Sequence, residues 1–172
     1  MARPQPGEYN EQFQQQYIDV ARGNKVEELI NNHSGNFISF IQSVPDEKAG
    51  FTYAEHKWTV KEVLQHMIDA ERVFVYRMLR LARKNAYTMP GFDQDIFANN
   101  SHTSQRSLDS LKKEFSLLRQ STDIFLLSLT GEDLLQKGIV SDYPITVNSL
   151  IFVLFGHTQH HIDILKERYL IG

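Results

Sequence analysis

The chain has 172 residues, 41% of them hydrophobic, with a formal net charge of -3, seven histidines and no cysteine. That length supports one compact domain with its own core, and dispersed basic residues on a mildly acidic chain argue against a nucleic-acid surface. The missing cysteine excludes disulfides, thiolate metal sites and a protein-borne thiol nucleophile.

The opening MARPQPGEYNEQFQQQ lacks an apolar signal core, and no run long enough to span a membrane follows. A cytoplasmic protein with no membrane partner is the expectation. Residues 1–23 read as an N-terminal extension, with Tyr9 to Val20 able to form a short helix. From Asn24 to Ser43 the stripe Val26, Leu29, Ile30, His33, Phe37, Phe40, Ile41 and Val44 predicts the first long helix, ended by Pro45.

A second helix starts after Trp58, where Thr59 and Glu62 fit a capping box. It continues through Val63, His66, Ala70, Val73 and Phe74 to about Arg83. The basic cluster from Arg77 to Lys84 complements the helix dipole at its end. Next comes KNAYTMPGFDQDIFANNSHT, a connection long enough to be either functional or a crossover. The third helix runs from Ser104 to Leu129 through Leu108, Leu111, Phe115, Leu118 and Phe125, and closes near Gly131. A weak strand pattern at Lys137 to Val140 precedes the fourth helix, Thr146 to Leu170. The whole chain, 1–172, therefore reads as a single all-α domain, a four-helix bundle.

The core stripe of the fourth helix reads Val147, Leu150, Leu154, His157, His161, Leu165. A lone histidine on an apolar face is usually a hydrogen-bonded core residue. Two of them four residues apart project together and form a two-ligand half-site. His66, on the facing stripe of the second helix with the small Ala70 one turn on, is the candidate third ligand. His33 interrupts another apolar stripe and is the rival, with a hydrogen-bonded core position as its plainer account.

His160 points about 100° away from His161 and suits a supporting or pocket-facing place. Asp69 can orient a ligand from one turn after His66, although an exposed helical aspartate is the plainer account. Asp93 and Asp95 cap a turn or line a pocket mouth, Trp58 and Tyr53 read as a hydrophobic staple, and His56 and His102 as surface residues. No G-x-S-x-G, phosphate-binding glycine loop or H-E-x-x-H is present.

WTVKEVLQHMIDAE, followed by GHTQHHIDILKERY, resembles the DinB/YfiT-like superfamily. The resemblance runs from about Asn24 to Tyr169. It implies a four-helix bundle in up-down-down-up order, which makes the connection after Lys84 a crossover. It also implies a metal triad of one histidine on the second helix and an H-x-x-x-H pair on the fourth, falling on His66, His157 and His161. Zinc or nickel is the implied ion and a homodimer the implied assembly. The activities implied are hydrolysis or low-molecular-weight thiol transfer of the bacillithiol type.

The expectation is thus a metal-dependent enzyme in which the ion activates water or a thiol cosubstrate toward a small-molecule substrate entering near the Tyr87 to His102 loop. The alternatives are a binding or stress-response module whose metal is structural or absent, and a dimeric bundle with a vestigial pocket.

Overall fold

The computed structural model describes residues 2–85 and 88–172. Its helices are α1 (Glu11–Val20), α2 (Val26–Ser43), α3 (Val60–Ala82), α4 (Gln94–Asn100), α5 (Leu108–Leu127), α6 (Gly131–Leu134) and α7 (Val147–Glu167). The strands are β1 (Thr88–Met89), β2 (Lys137–Val140) and β3 (Tyr143–Thr146).

Helix starts follow local chemistry. At α3 the Thr59 hydroxyl accepts from the Glu62 amide while the Glu62 carboxylate accepts from the Thr59 amide at 2.7 Å. Thr146 and Ser149 make the same reciprocal pair at α7. The third bundle helix begins at Leu108, later than expected from Ser104. Thr103–Gln105 form a separate 3-10 turn, Arg106 is extended, and Ser107 is the residue whose side chain caps, accepting from the Ser110 amide at 3.1 Å.

α2, α3, α5 and α7 form the bundle. α2 packs beside α5 and α7, and α3 beside the same two. Their directions follow from which residues meet. Ser34 reaches Asp123 while Gln42 reaches Lys112, so α2 and α5 are antiparallel. Lys61 reaches Arg106 while Glu71 meets Arg119, so α3 and α5 are parallel. His33 packs on Phe155 and Phe40 on Lys166, so α2 and α7 are parallel. His66 meets His157, whereas the Trp58 carbonyl, before α3, meets Tyr169, beyond α7, so these two are antiparallel. The order is up-down-down-up, and the connection from α3 to α5 is the expected crossover. It carries β1 and α4 along the bundle; Tyr87, in the expected entrance loop, lies outside the described residues.

The weak strand signal understates the β content. Lys137–Val140 pairs antiparallel with Tyr143–Thr146, and Thr88–Met89 adds parallel to β2 in the order β1-β2-β3. Ser141 and Asp142 turn the hairpin at φ 50° and 69°, the pair of positive values that a tight two-residue hairpin requires. Met89, Val140 and Ile145 bury the sheet's inner face, but so few residues leave little period-two pattern to read.

One polar layer crosses the core. Arg119 of α5 is 0% exposed and Glu71 of α3 1%, with Nη2 and Oε1 2.9 Å apart. Thr122 Oγ1 donates to the same carboxylate oxygen at 2.7 Å, and Asp123, 3.6 Å from Arg119 Nε, accepts from Ser34 of α2 at 3.0 Å. The guanidinium also lies 5.0 Å from the Phe155 ring of α7, so the layer touches all four bundle helices. Burying both ions costs desolvation that their attraction roughly offsets, but removing one partner strands the other.

Glu71→Ala is expected to lower unfolding free energy by about 3 to 5 kcal/mol, with Glu71→Leu/Arg119→Met recovering most of it. Urea denaturation of the three proteins checks this. A single-variant loss no larger than the ~1 kcal/mol of a surface pair contradicts it.

Candidate metal centre

The antiparallel pairing of α3 and α7 sets His66 against two successive turns of α7. His157 Nε2 lies 3.1 Å from His66 Nε2 and 3.2 Å from His161 Nε2. One ring nitrogen from each of the three histidines lies within 4.8 Å of the others. A neutral imidazole nitrogen carries either a proton or a lone pair, so His157 Nε2 makes one good hydrogen bond to these neighbours and not two. Three ring nitrogens gathered this closely suit a divalent cation instead. Ligand bonds of about 2.0 to 2.1 Å in tetrahedral geometry put nitrogens roughly 3.3 Å apart, close to the spacing present.

The surroundings keep these rings neutral. Burial lowers the pKa of His66 from 6.5 to about 4. Burial, with the neighbouring His66 and His160, lowers His161 to about 3. His157, enclosed among the other imidazoles, falls well below the ordinary histidine value, again chiefly through burial. Neutral imidazole is the form that binds metal. The packing comes from rings: Trp58 lies 4.9 Å from His66, Phe74 5.5 Å and Tyr17 5.4 Å from His157, centroid to centroid.

Beside His161 opens a cleft of about 350 Å³, lined among others by Tyr53, Trp58, Val63, Asp95 and Tyr169. Tyr169 Oη donates to the Trp58 carbonyl at 2.6 Å, pinning the chain beyond α7 to the entry of α3 and shaping that wall. Trp58 and Tyr53, read from the sequence as a hydrophobic staple, thus both line the cleft, with Val63 beside them.

The other sequence candidates are placed as follows. His33 is not brought to the cluster: its Nε2 accepts from the Arg22 amide at 2.8 Å and its ring packs on Phe37 and Phe155, so its core account holds and the rival ligand is set aside. Asp69 accepts from Gln65 at 3.0 Å and lies 3.8 Å from Arg72, which directs its carboxylate to those partners on its own helix. His160 packs 5.5 Å from Tyr17 and 5.2 Å from His161, beside the cluster and not in it. Asp93 caps α4 through the Asp95 and Ile96 amides, and Asp95 reaches the cleft. His56, expected at the surface, is exposed and also lines the cleft, whereas His102 precedes the 3-10 turn in a left-handed conformation with φ 51°.

Sequence reasoning missed Tyr17 and Gly156. Tyr17 lies on a helix assigned to an extension. Gly156 sits in an apolar helix next to His157, and an interior helical glycine is the available signal that a backbone approaches closely there.

The pKa shifts fix a pH dependence. With folded values below the unfolded 6.5, the unfolded chain binds more protons on acidification. The stability of the metal-free protein is therefore complete above about pH 6.5 and is lost as pH falls toward 4 and then 3. The urea midpoint should drop through that window and drop less in His66→Gln. A midpoint flat from pH 7 to 4, or an unaltered slope in the variant, contradicts the assignment.

The sequence and the fold are similar to those of known proteins. A protein of Oceanobacillus iheyensis, named as a candidate metal-dependent hydrolase, is 26% identical over 139 residues, covering 80% of this chain and 79% of the relative. The structure of YfiT from Bacillus subtilis, described as a candidate metal-dependent hydrolase with an unusual four-helix bundle topology, superposes with a TM-score of 0.69. That match covers 98% of this chain and 94% of YfiT at 16% identity, a likeness of fold. The DinB superfamily profile matches residues 30–165, most of the chain and all three clustered histidines. The chain belongs to the DinB superfamily.

Proposed function

We propose that the chain is a metal-dependent enzyme in which His66, His157 and His161 hold one divalent ion, zinc or nickel, through Nε2. The observation that carries this reading is the convergence of three buried-side imidazole nitrogens beside an open cleft. When bound, such an ion supplies Lewis acidity that makes a water or thiol ligand nucleophilic at neutral pH.

The chain's own residues do the rest. Burial keeps the three rings neutral, the form in which an imidazole offers a lone pair to a metal. Trp58 and Phe74 pack against His66 and His157 and limit their rotation and wetting. The cleft brings a small-molecule substrate to the His161 side, between Trp58 and Tyr169.

The names given to the Oceanobacillus and Bacillus proteins favour hydrolysis. The absence of cysteine fits the second nucleophile, an external low-molecular-weight thiol. No helix among the described residues is long and apolar enough to cross a membrane, in keeping with a cytoplasmic setting. Homodimer formation belongs to the same reading and is supported by the exposed Leu117, Ile124 and Leu127 on α5.

Untagged protein should carry about one equivalent of zinc or nickel. His157→Ala should lower metal affinity at least as much as the roughly 10- to 100-fold loss from a disturbed supporting residue. Turnover of an ester panel, or of an electrophile with bacillithiol, should require the metal. Metal-free wild type that cannot be reloaded sinks the reading, and loaded protein inert on every substrate moves it to a binding module.

A further inference from the structure

α1 lies before residue 30, where the family match begins, yet it reaches into the histidine cluster. The Tyr17 ring stands 5.4 Å from the His157 ring and 5.5 Å from the His160 ring, at 70° and 72° to them. These are edge-to-face spacings.

The tyrosine is placed by backbone contact. A Cβ on Gly156 would lie 1.8 Å from the Tyr17 carbonyl oxygen and 2.7 Å from its Cα. Only glycine, at the position just before His157, lets α1 lie this close to α7. The chain is fastened just past the contact. Arg3 Nη1 donates to the Ala21 carbonyl at 2.7 Å and the Gly23 carbonyl at 3.1 Å, and Arg3 Nη2 donates to the Ile18 carbonyl. The same guanidinium lies 5.2 Å from the Phe152 ring of α7. Just past α1 the Arg22 amide donates to His33 of α2.

The cluster consequently has two unlike flanks. His161 borders the cleft with Trp58 and Tyr169. His157, 7% exposed, is walled by Phe74 from α3 and Tyr17 from α1.

We propose that Tyr17 is a positioning residue of the metal centre: its ring holds the His157 imidazole with Nε2 toward His66 and His161 and closes that flank to water. The cleft at His161 is then the approach for substrate. This rests on the metal-centre reading and assigns a part of that site to the N-terminal helix. The aromatic ring carries the role, so phenylalanine replaces tyrosine and alanine does not.

The test loads wild type, Tyr17→Phe, Tyr17→Ala and Ile18→Ala with cobalt(II). It records the visible absorption spectrum and the rate of cobalt loss to excess EDTA. Ile18 is buried on the same helix and carries no ring, so its variant loosens α1 while keeping the tyrosine. Tyr17→Ala is expected to alter the cobalt spectrum and speed release about 10- to 100-fold, the range for disturbed supporting residues. Tyr17→Phe should match wild type, and Ile18→Ala should keep the wild-type spectrum. A wild-type spectrum and release rate in Tyr17→Ala overturns the proposal, as does an Ile18→Ala protein that reproduces the Tyr17→Ala changes. Wild type that takes up no cobalt overturns the metal-centre reading itself, and this proposal with it.

Discussion

A buried imidazole has two ring nitrogens to satisfy, and His157 faces two other imidazoles with the same one, at 3.1 Å and 3.2 Å. Hydrogen bonding settles one of those contacts and leaves the other with like groups opposed. Protonation is resisted as well, because burial and the neighbouring rings push the His157 pKa down. A shared cation would resolve the conflict, since it would take one lone pair from each ring. The surrounding arrangement of helices, aromatic walls and close-packed α1 is intelligible as what brings these three nitrogens to one point.

Topology makes that meeting possible. In an up-down-down-up bundle, α3 and α7 lie side by side and antiparallel, so a residue nearly two turns into α3 faces α7 from its midpoint onward. Away from the cluster, the Glu71–Arg119 pair joins the same α3 to α5, with Ser34 and Phe155 reaching it from α2 and α7. An ion pair this deep adds little net stability. It penalises any sliding of one helix that would leave Arg119 without its carboxylate, and so supports the register on which the histidine geometry depends.

Much of this was legible in the chain. His157 and His161 declare themselves because leucine positions of a core stripe are occupied by rings that need partners, and His66 because its stripe faces the same core. The Thr59 helix start was legible from side-chain chemistry, and the fourth helix was expected to begin at Thr146, where Thr146 and Ser149 do cap it. The start of α5 was not, because Ser104 and Ser107 are both capable caps and only the turn at Thr103–Gln105 decides between them. Arg119 and Glu71 look like ordinary surface charges until tertiary packing buries both. The sheet was hard to read for want of length, and Tyr17 because the interior Gly156 signals a close backbone approach without saying which segment makes it.

The central claim is that three imidazoles of one chain hold one divalent ion. X-ray absorption at the edge of the metal in the loaded protein tests it most directly. The account predicts a first shell containing three nitrogens at about 2.0 to 2.1 Å, with the outer-shell scattering of imidazole rings and the remaining ligands light atoms. A spectrum with fewer than three imidazoles, or one fitted by oxygen ligands alone, would contradict it.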